Sequence, residues 1–142
     1  MTSIWIDDVQ FLLDTNILIA MSKQRVALAD RLEGIPADAI LLSSVVVAEI
    51  EYGIAKSGRR QHNRRVFDSL LSGFRVLPFD AAAARLYGPI RAHLEKRGRL
   101  IGPYDLMIAA HAQSLDAVLV TDNTKEFDRV AGLKTENWLT PG

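Results

Sequence analysis

The sequence predicts a single α/β domain, in which a central, mostly parallel sheet of four to five strands has helices on both faces. Three observations predict this class. Short apolar runs alternate with longer segments of helical pattern, as they do where helices connect parallel strands. The chain has 142 residues, of which 49% are hydrophobic, so its size and composition are those of one globular domain. We find no linker, repeat or low-complexity segment, and we therefore treat residues 1–142 as one domain with residues 1–8 as a short N-terminal extension.

The expected strands are apolar runs with almost no polar interruption, which is typical of strands that are buried on both faces of a parallel sheet. They cover residues 9–13, 39–43, 75–79 and 117–121, and residues 135–139 are expected to add an edge strand. Ligands of such sheets bind outside the carboxyl ends of the strands. The residues that directly follow each run are therefore the first candidates for a functional site.

The expected helices lie between these strands, and most begin at a residue that can cap a helix or end at a glycine. Seven helices are expected. In chain order, the first begins at about Thr15, the next four cover residues 25–32, 44–56, 61–72 and 81–96, the sixth begins at Pro103, and a short last helix covers residues 124–127. Ser44 and Asp80 are expected to be N-caps. Gly73 is in the position of a C-cap glycine, and Gly98 is expected to end the helix before it.

Composition excludes several classes of protein. Seventeen Lys and Arg residues balance seventeen Asp and Glu residues, whereas a protein that coats nucleic acid through its overall charge is usually far more basic. The absence of cysteine excludes a disulfide scaffold, thiol catalysis and zinc sites with thiolate ligands. The acidic N-terminal residues do not resemble a signal peptide, and no apolar stretch approaches the ~18 residues that span a bilayer. We therefore expect a soluble, cytoplasmic protein that does not contact a membrane.

Four acidic residues fall near expected strand ends or helix starts. Asp14 directly follows the first strand, and Asp122 follows the fourth. Asp105 lies in the first turn of the helix that begins at Pro103, and Glu49 lies in the first half of the helix after the second strand. Because the carboxyl ends of parallel strands share one edge of the sheet, these carboxylates are expected to converge there.

Most of these acids also have a purely structural interpretation. Asp14 is in the position of a helix cap, and Asp105 is in the position of a partner for the helix dipole. Glu49 lies on a helix that is apolar almost all round, where a carboxylate needs a partner, but Glu51 on the same helix fits that description as well. Spacing alone does not choose between the two glutamates.

Carboxylates that lie close together raise one another's pKa unless a cation neutralises them. With no cysteine, and with three histidines that are far apart in the sequence, the available ligands are oxygen atoms, which favour Mg²⁺ or Mn²⁺ over Zn²⁺. Such a metal activates water and offsets the charge that develops on a phosphate group. The chemistry implied is hydrolysis of a phosphodiester bond.

Four blocks of the sequence together resemble PIN-domain ribonucleases and, more narrowly, the VapC toxins of type II toxin–antitoxin operons. The blocks are Leu-Leu-Asp-Thr-Asn at 12–16, two serines at 43–44 with Ala-Glu at 48–49 and Tyr-Gly at 52–53, Gly-Pro-Tyr-Asp and the helix that follows at 102–112, and Val-Thr-Asp-Asn-Thr-Lys-Glu-Phe at 120–127. The resemblance extends from residue 11 to residue 138, and its blocks occur in the order that they have in the family. It implies one PIN-like domain.

The resemblance implies a role for each matched acid. Asp14 and Asp105 become the principal metal ligands, and Glu49 rather than Glu51 becomes the third acid. The metal implied is Mg²⁺, for which Mn²⁺ is expected to substitute.

The last block departs from the family pattern. Many members have their fourth acid at the position of Asn123, whereas this chain has Asp122 one position earlier, so both residues are candidates for completing the catalytic set. Three further residues are expected to orient the carboxylates by hydrogen bonds, as metal sites generally require: Thr15, Asn16 and Thr121.

The resemblance also implies partners. These are a second copy of the chain in a homodimer, a VapB-type antitoxin that occupies the active-site groove, operator DNA on which toxin and antitoxin form a hetero-oligomer, and structured RNA as the substrate. The block at 102–105 is most similar to the VapC branch that cuts initiator tRNA in the anticodon loop.

Two basic segments are candidates for contacts with RNA phosphates. The segments cover residues 59–65 and 91–99, and the arginines selected from them are Arg59, Arg60, Arg64, Arg65, Arg97 and Arg99. Runs of this kind are also common on solvated helix faces. The histidines pair with no cysteine and are expected to be surface or core residues.

Two hypotheses of function follow. In the first, the chain is a Mg²⁺-dependent endoribonuclease toxin in which Glu49 assists the attack of water and the products carry a 3′-hydroxyl and a 5′-phosphate. In the second, it is a PIN-like binding subunit that represses its operon together with a VapB-type antitoxin and has weak or no catalysis, as the departure at Asn123 suggests. A phosphatase of the haloacid dehalogenase class is excluded, because it needs an aspartate where this chain has Asn16.

Overall fold

The computed structural model describes residues 9–140, which form five strands and seven α-helices. The strands are β1 (Phe11–Leu13), β2 (Ile40–Ser43), β3 (Arg75–Leu77), β4 (Val118–Val120) and β5 (Thr135–Glu136). The helices are α1 (Thr15–Ser22), α2 (Val26–Glu33), α3 (Ser44–Lys56), α4 (Arg60–Leu71), α5 (Ala81–Lys96), α6 (Pro103–Ser114) and α7 (Thr124–Phe127). The predicted α/β class is confirmed. The extension expected over residues 1–8 lies outside the described residues.

The five strands form one sheet in the order β3-β2-β1-β4-β5, and every pairing is parallel. The chain moves outward from β1 through β2 to β3 and then crosses back to β4 on the other side of β1. Because crossovers between parallel strands are right-handed, this reversal places the two sets of helices on opposite faces. The carboxyl ends of β1 and β4 flank the point of reversal, which is where open α/β sheets bind their ligands.

The core lies around the three central strands. All residues of β2 and β4 are buried, as the continuous apolar runs predict. The largest fully buried side chains include Trp138 and Phe127, and the ring of Trp138 packs against Phe11 with centroids 5.1 Å apart. Within residues 9–140, no helix is long and apolar enough to cross a membrane.

The sequence predicts Ser44 as the N-cap of α3, but the structure shows that the N-cap is Ser43. Ser43 Oγ accepts a hydrogen bond of 3.1 Å from the backbone N–H of Val45. Ser44 is already helical, and its hydroxyl instead accepts from the N–H of Phe79 at 3.0 Å, which ties α3 to the segment after β3. Both serines carry a hydroxyl that can cap a helix, so which of them caps α3 depends on where β2 ends.

The two expected glycine stops differ in the structure. Gly98 has a φ of +65°, a left-handed conformation, and it lies just after the C-cap of α5, where the helix is expected to end. Gly73 does not have the positive φ of a C-cap glycine. The last turn of α4 is closed by Ser72, whose N–H donates to the carbonyl of Asp68 at 3.1 Å in a right-handed conformation, so no left-handed residue is needed there.

Candidate active site

Asp14 lies at the carboxyl end of β1 and is only 4% exposed. Its Oδ1 accepts from the N–H of Thr15 at 2.8 Å, so the residue is the N-cap of α1. Its Oδ2 accepts from the hydroxyl of Thr121 at 2.8 Å and from the side-chain amide of Asn16 at 3.1 Å. Both carboxylate oxygens are therefore held in fixed positions, and the residue is a helix cap and a member of a wider network at the same time.

Thr121 connects the ends of β1 and β4. Besides donating to Asp14, its hydroxyl accepts from the N–H of Asn123 at 3.0 Å. The next residue along the chain, Asp122, donates its N–H to Oδ1 of Asn16 at 3.2 Å. These bonds attach the loop after β4 to the first turn of α1, so the two strand ends that flank the point of reversal form one rigid unit.

Glu49 is brought to this edge by α3. Its Oε1 accepts a hydrogen bond of 2.7 Å from the hydroxyl of Thr15, directly beside Asp14. Glu51 lies on an exposed side of the same helix, where both of its oxygens accept from Arg64 and its pKa is lowered by that bond. This contact between Glu49 and Thr15 distinguishes the two glutamates, which their spacing in the sequence does not.

The expectation that α3 is buried almost all round is wrong. Ala48, Glu51 and Tyr52 are exposed, and Glu49 is partly buried at the boundary of this exposed face. The apolar residues of the opposite side, including Val46 and Ile50, do pack into the core. Composition overstated the burial because small and aromatic residues of this helix face an open groove instead of a neighbouring element.

Asp105 lies in the first turn of α6, after the N-cap Gly102. The pKa of its carboxyl is raised to about 6, mainly by burial and then by the negative charges of Asp14, Glu126 and Glu49, in that order. The pKa of Asp14 is also raised, first by burial and then by the charge of Glu49, against the lowering effect of its hydrogen bonds. The acids therefore act on one another, as expected for carboxylates that share one site.

Glu126 is a member of this group that the sequence argument did not select. It lies in α7, accepts a hydrogen bond from the side-chain amide of Asn123, and is the second carboxylate in its effect on the pKa of Asp105. Asp122 is exposed and is not among the charges that act on Asp105. Glu126 lies in α7, beyond the loop that follows β4, so it is not among the residues that directly follow a strand.

The four carboxylates of Asp14, Glu49, Asp105 and Glu126 are called the acidic site below. Among the residues that the structure describes, no three acidic or histidine side chains lie close enough together to hold a metal ion as they stand. The charge at the site is nevertheless unbalanced, since like charges raise the pKa of both Asp14 and Asp105. Carboxylate and hydroxyl oxygens are the donors that Mg²⁺ and Mn²⁺ prefer, so the site fits such a cation chemically.

The arginines selected from the sequence do not share one environment. Arg64 is held by Glu51 and by Asp68, with 3.2 Å between Arg64 Nη1 and Asp68 Oδ1. The other five are exposed: Arg59, Arg60, Arg65, Arg97 and Arg99. The second basic segment leads into Gly102 and α6, so it is next to the element that carries Asp105.

One histidine is part of the core, as the sequence indicated. His111 is 1% exposed, its Nδ1 is 2.8 Å from Ser43 Oγ, and its ring meets the edge of Phe79. Burial lowers its pKa. His111 is therefore a neutral, hydrogen-bonded core residue.

Comparison with known proteins identifies relatives over nearly the whole chain. The family model for the PIN domain matches residues 11–133. The chain is 43% identical over 129 residues to the tRNA(fMet)-specific endonuclease VapC of Shigella flexneri, covering 91% of this chain and 98% of that protein. It is 40% identical over 130 residues to ribonuclease VapC2 of Rickettsia felis, covering 90% of this chain and 97% of that protein. A crystal structure of VapBC2 from Rickettsia felis, bound to a DNA fragment from the promoter, superposes with a TM-score of 0.87 and 38% identity over 92% of this chain and 99% of that one.

Proposed function

Because the chain belongs to the PIN-domain family, we propose that it is a VapC-type endoribonuclease that hydrolyses phosphodiester bonds in structured RNA with Mg²⁺ as its metal. The observation that carries this proposal is the acidic site at the point where the strand order reverses, with Asp14, Asp105 and Glu49 held by β1, α6 and α3. An all-oxygen site of like charges is suited to a hard divalent cation and, through it, to a phosphate group. Initiator tRNA is the proposed substrate, because the relative from Shigella flexneri is named for it.

Asp14 and Asp105 are the residues that would hold the metal, with Glu49 as the third acid. Glu126 is a further carboxylate whose charge acts on Asp105. When bound, the cation would lower the pKa of a water molecule and offset negative charge on the phosphate. Asp14 has both oxygens oriented by Thr15, Thr121 and Asn16, so it enters the reaction already positioned. Because this carboxylate is already ordered, less conformational entropy is lost when the metal and the substrate bind.

Glu49 is the proposed general base. Thr15 holds its Oε1, which leaves Oε2 to take the proton from the attacking water. The water oxygen forms a bond to phosphorus, the bond between phosphorus and the 3′ oxygen breaks, and the leaving 3′ oxygen takes a proton from solvent water. The products are a 3′-hydroxyl and a 5′-phosphate.

The family relationship also supports an assembly. We propose that the chain forms a homodimer and pairs in the cytoplasm with a VapB-type antitoxin, and that this complex binds operator DNA, as the named complex from Rickettsia felis binds promoter DNA. Operon repression and RNA cleavage would then be two activities of one protein. The binding-subunit hypothesis, with weak or no catalysis, stays the alternative, and the absence of cleavage by the wild-type chain would favour it.

The test is to sequence RNA 5′ ends after brief induction of the chain in cells, with the Asp14→Asn variant as the matched control. The wild-type chain is expected to produce new 5′-phosphate ends at one position of the initiator tRNA anticodon loop, and the variant is expected to produce none. Equal ends from both chains would contradict the proposed catalytic role of Asp14. Ends in a different RNA would replace the proposed substrate but keep the activity.

A further inference from the structure

A groove of about 580 Å³ borders the acidic site, and its volume is within the range of about 300–1,000 Å³ that is usual for small-ligand sites. Thr15 and Glu49 form its inner wall, so the groove opens directly onto the proposed general base. Tyr52 and Tyr104 line its outer part, and Tyr104 directly precedes Asp105 in the chain. We call this space the tyrosine groove.

The tyrosine groove is lined by side chains that are unusually exposed for their type. Tyr52 is 66% exposed, Tyr104 is 58% exposed and Ile19 is 40% exposed. These three account for half of the six large hydrophobic side chains that are exposed among the described residues. Apolar surface that is concentrated in one concave place beside a reactive site is typical of a binding surface.

A positive charge lies at the same place. The ammonium group of Lys56 stands 5.0 Å from the centroid of the Tyr52 ring, and Lys56 also lines the groove. The ammonium group lies over one face of the Tyr52 ring. This arrangement is complementary to a nucleotide, whose base can stack on a tyrosine face that the lysine leaves free while its phosphate meets the ammonium group. An uncharged aliphatic ligand would not use the lysine.

Gly53 leaves the floor of the groove open. It lies inside α3, where glycine lowers helix stability by roughly 1 kcal/mol relative to alanine. A Cβ atom added at this position would have no heavy atom within 4 Å. No close packing in the described structure therefore requires glycine here, and any larger side chain would project into the space beside Glu49 and Tyr52.

We propose that the tyrosine groove binds one unstacked base of the substrate RNA, adjacent to the phosphate that is cleaved, with Tyr52 and Tyr104 as its stacking surfaces and Lys56 at the neighbouring phosphate. This inference rests on the proposed ribonuclease function and adds a position at which the enzyme distinguishes loops from helices. Bases inside a duplex are already stacked and cannot enter, whereas bases of a loop can turn outward. The groove thus selects single-stranded phosphates for the acidic site.

The test measures binding and not cleavage, so its outcome is separate from that of the proposed activity. The probe is the anticodon stem-loop of initiator tRNA with a fluorescent label, and Kd is measured by anisotropy with Ca²⁺ in place of Mg²⁺. A set of matched stem-loops lacks the base at each loop position in turn. For the wild-type chain, loss of one particular base is expected to raise Kd about tenfold.

The Tyr52→Ala and Tyr104→Ala variants are expected to raise Kd for the intact stem-loop by about the same factor and to become insensitive to the loss of that base. Tyr52→Phe and Tyr104→Phe keep the ring and are expected to retain wild-type binding. Gly53→Leu fills the groove and is expected to reproduce the alanine result. Gly53→Ala serves as its folding control, because it is expected to unfold at a higher temperature than the wild type.

Alanine variants that bind every stem-loop as the wild type does would overturn the proposal. So would an equal loss of affinity for intact and abasic RNA, because that result means that the rings do not contact the base. If the same variants lose affinity for a VapB-type antitoxin but keep their affinity for RNA, the groove is a protein-docking surface and the proposal is wrong. Absence of RNA cleavage by the wild-type chain would instead count against the proposed function.

Discussion

Two polar arrangements lie at the carboxyl edge of the same sheet, and they are built in opposite ways. At the end of β2, Ser43 and His111 form a neutral pair, and the serine hydroxyl also caps α3. After β1 and β4, Asp14 is joined by carboxylates of the same charge, and the pKa of both Asp14 and Asp105 is raised. In the first arrangement burial lowers the pKa of the histidine and keeps it uncharged.

This difference separates a structural polar pair from a reactive site. The serine–histidine pair is uncharged, and the Ser43 hydroxyl contacts both Nδ1 of His111 and the N–H of Val45. The acidic site has its geometry fixed by donors from Thr15, Thr121 and Asn16, yet its charge is left unbalanced. Unbalanced charge costs stability in the free protein and provides affinity for a cation.

The largest expected effect is the loss of activity in the Asp14→Asn variant. Asparagine keeps the size of the side chain but removes the charge that would hold the metal, so kcat/KM for RNA is expected to fall by at least about 100-fold. If a purified, folded Asp14→Asn protein kept wild-type kcat/KM, the acidic site would be no more reactive than the serine–histidine pair, and the comparison would fail.

A smaller loss of activity is expected from Thr121→Val. Valine has the shape of threonine but neither donates to Asp14 nor accepts from Asn123, so Asp14 loses one of its orienting bonds. Changes in groups that orient metal ligands typically cost about 10–100-fold in activity or metal affinity. The matched control is Thr135→Val on β5, whose hydroxyl contacts Asp128, and it is expected to keep wild-type activity and Mn²⁺ affinity.

At the serine–histidine pair, a substitution is expected to lower stability and to leave activity unchanged. His111→Ala leaves a cavity and removes the partner of Ser43, so the free energy of unfolding is expected to fall by about 2–3 kcal/mol. Activity per folded molecule is expected to stay at the wild-type level. Denaturant unfolding and kcat/KM on the same preparation check this, and a large fall in kcat/KM without loss of stability would assign His111 to the active site.

The smallest effect is a gain in stability from Asp105→Asn in the metal-free protein. The pKa of Asp105 is about 6 in the folded chain against an ordinary value of 3.8, so its stability contribution is full below pH 3.8 and is lost as the pH rises through 6. Asparagine does not ionise, and the variant is expected to be more stable than the wild type by about 1 kcal/mol at neutral pH, after allowance for solvent screening.

The expected gain of this variant disappears on acidification. Thermal unfolding in the presence of a chelator, repeated at several pH values, measures it. A constant difference between wild type and variant from pH 4 to pH 8 would mean that Asp105 does not carry the like-charge interaction described above.

The sequence predicts most of this edge but not its details. The strand ends and the helix starts are local features, so Asp14 and Asp105 are found by their positions alone. The sequence allows Asp14 to be either a helix cap or a site residue, and in the structure it is both. Its Oδ1 caps α1, and its Oδ2 belongs to the network at the strand ends. Spacing does not choose between Glu49 and Glu51, and only the family resemblance favours Glu49. The structure adds a hydrogen bond to Glu49 from Thr15, 34 residues away, which no local pattern contains.

Glu126 shows the limit of the strand-end argument. A helical turn carries it back toward Asp105, and its position depends on how α7 packs after β4. The exposure of Asp122 depends on the same loop, whose N–H groups turn inward to Asn16 and Thr121. The assignment of Asp122 or Asn123 to the catalytic set stays a prediction, for which Glu126→Gln and Asp122→Asn are the natural pair of variants.

The central claim is that carboxylates at this edge act as a ribonuclease site because of their surroundings and not because of their residue type. Glu49 and Glu51 test it most directly, since they lie two residues apart on one helix and differ mainly in what they contact. In a Mg²⁺-dependent cleavage assay with initiator tRNA, Glu49→Gln is expected to lower kcat by about 100-fold or more. Glu51→Gln is expected to stay within about twofold of the wild type. Equal activities of the two variants, or a greater loss from Glu51→Gln, would contradict the account.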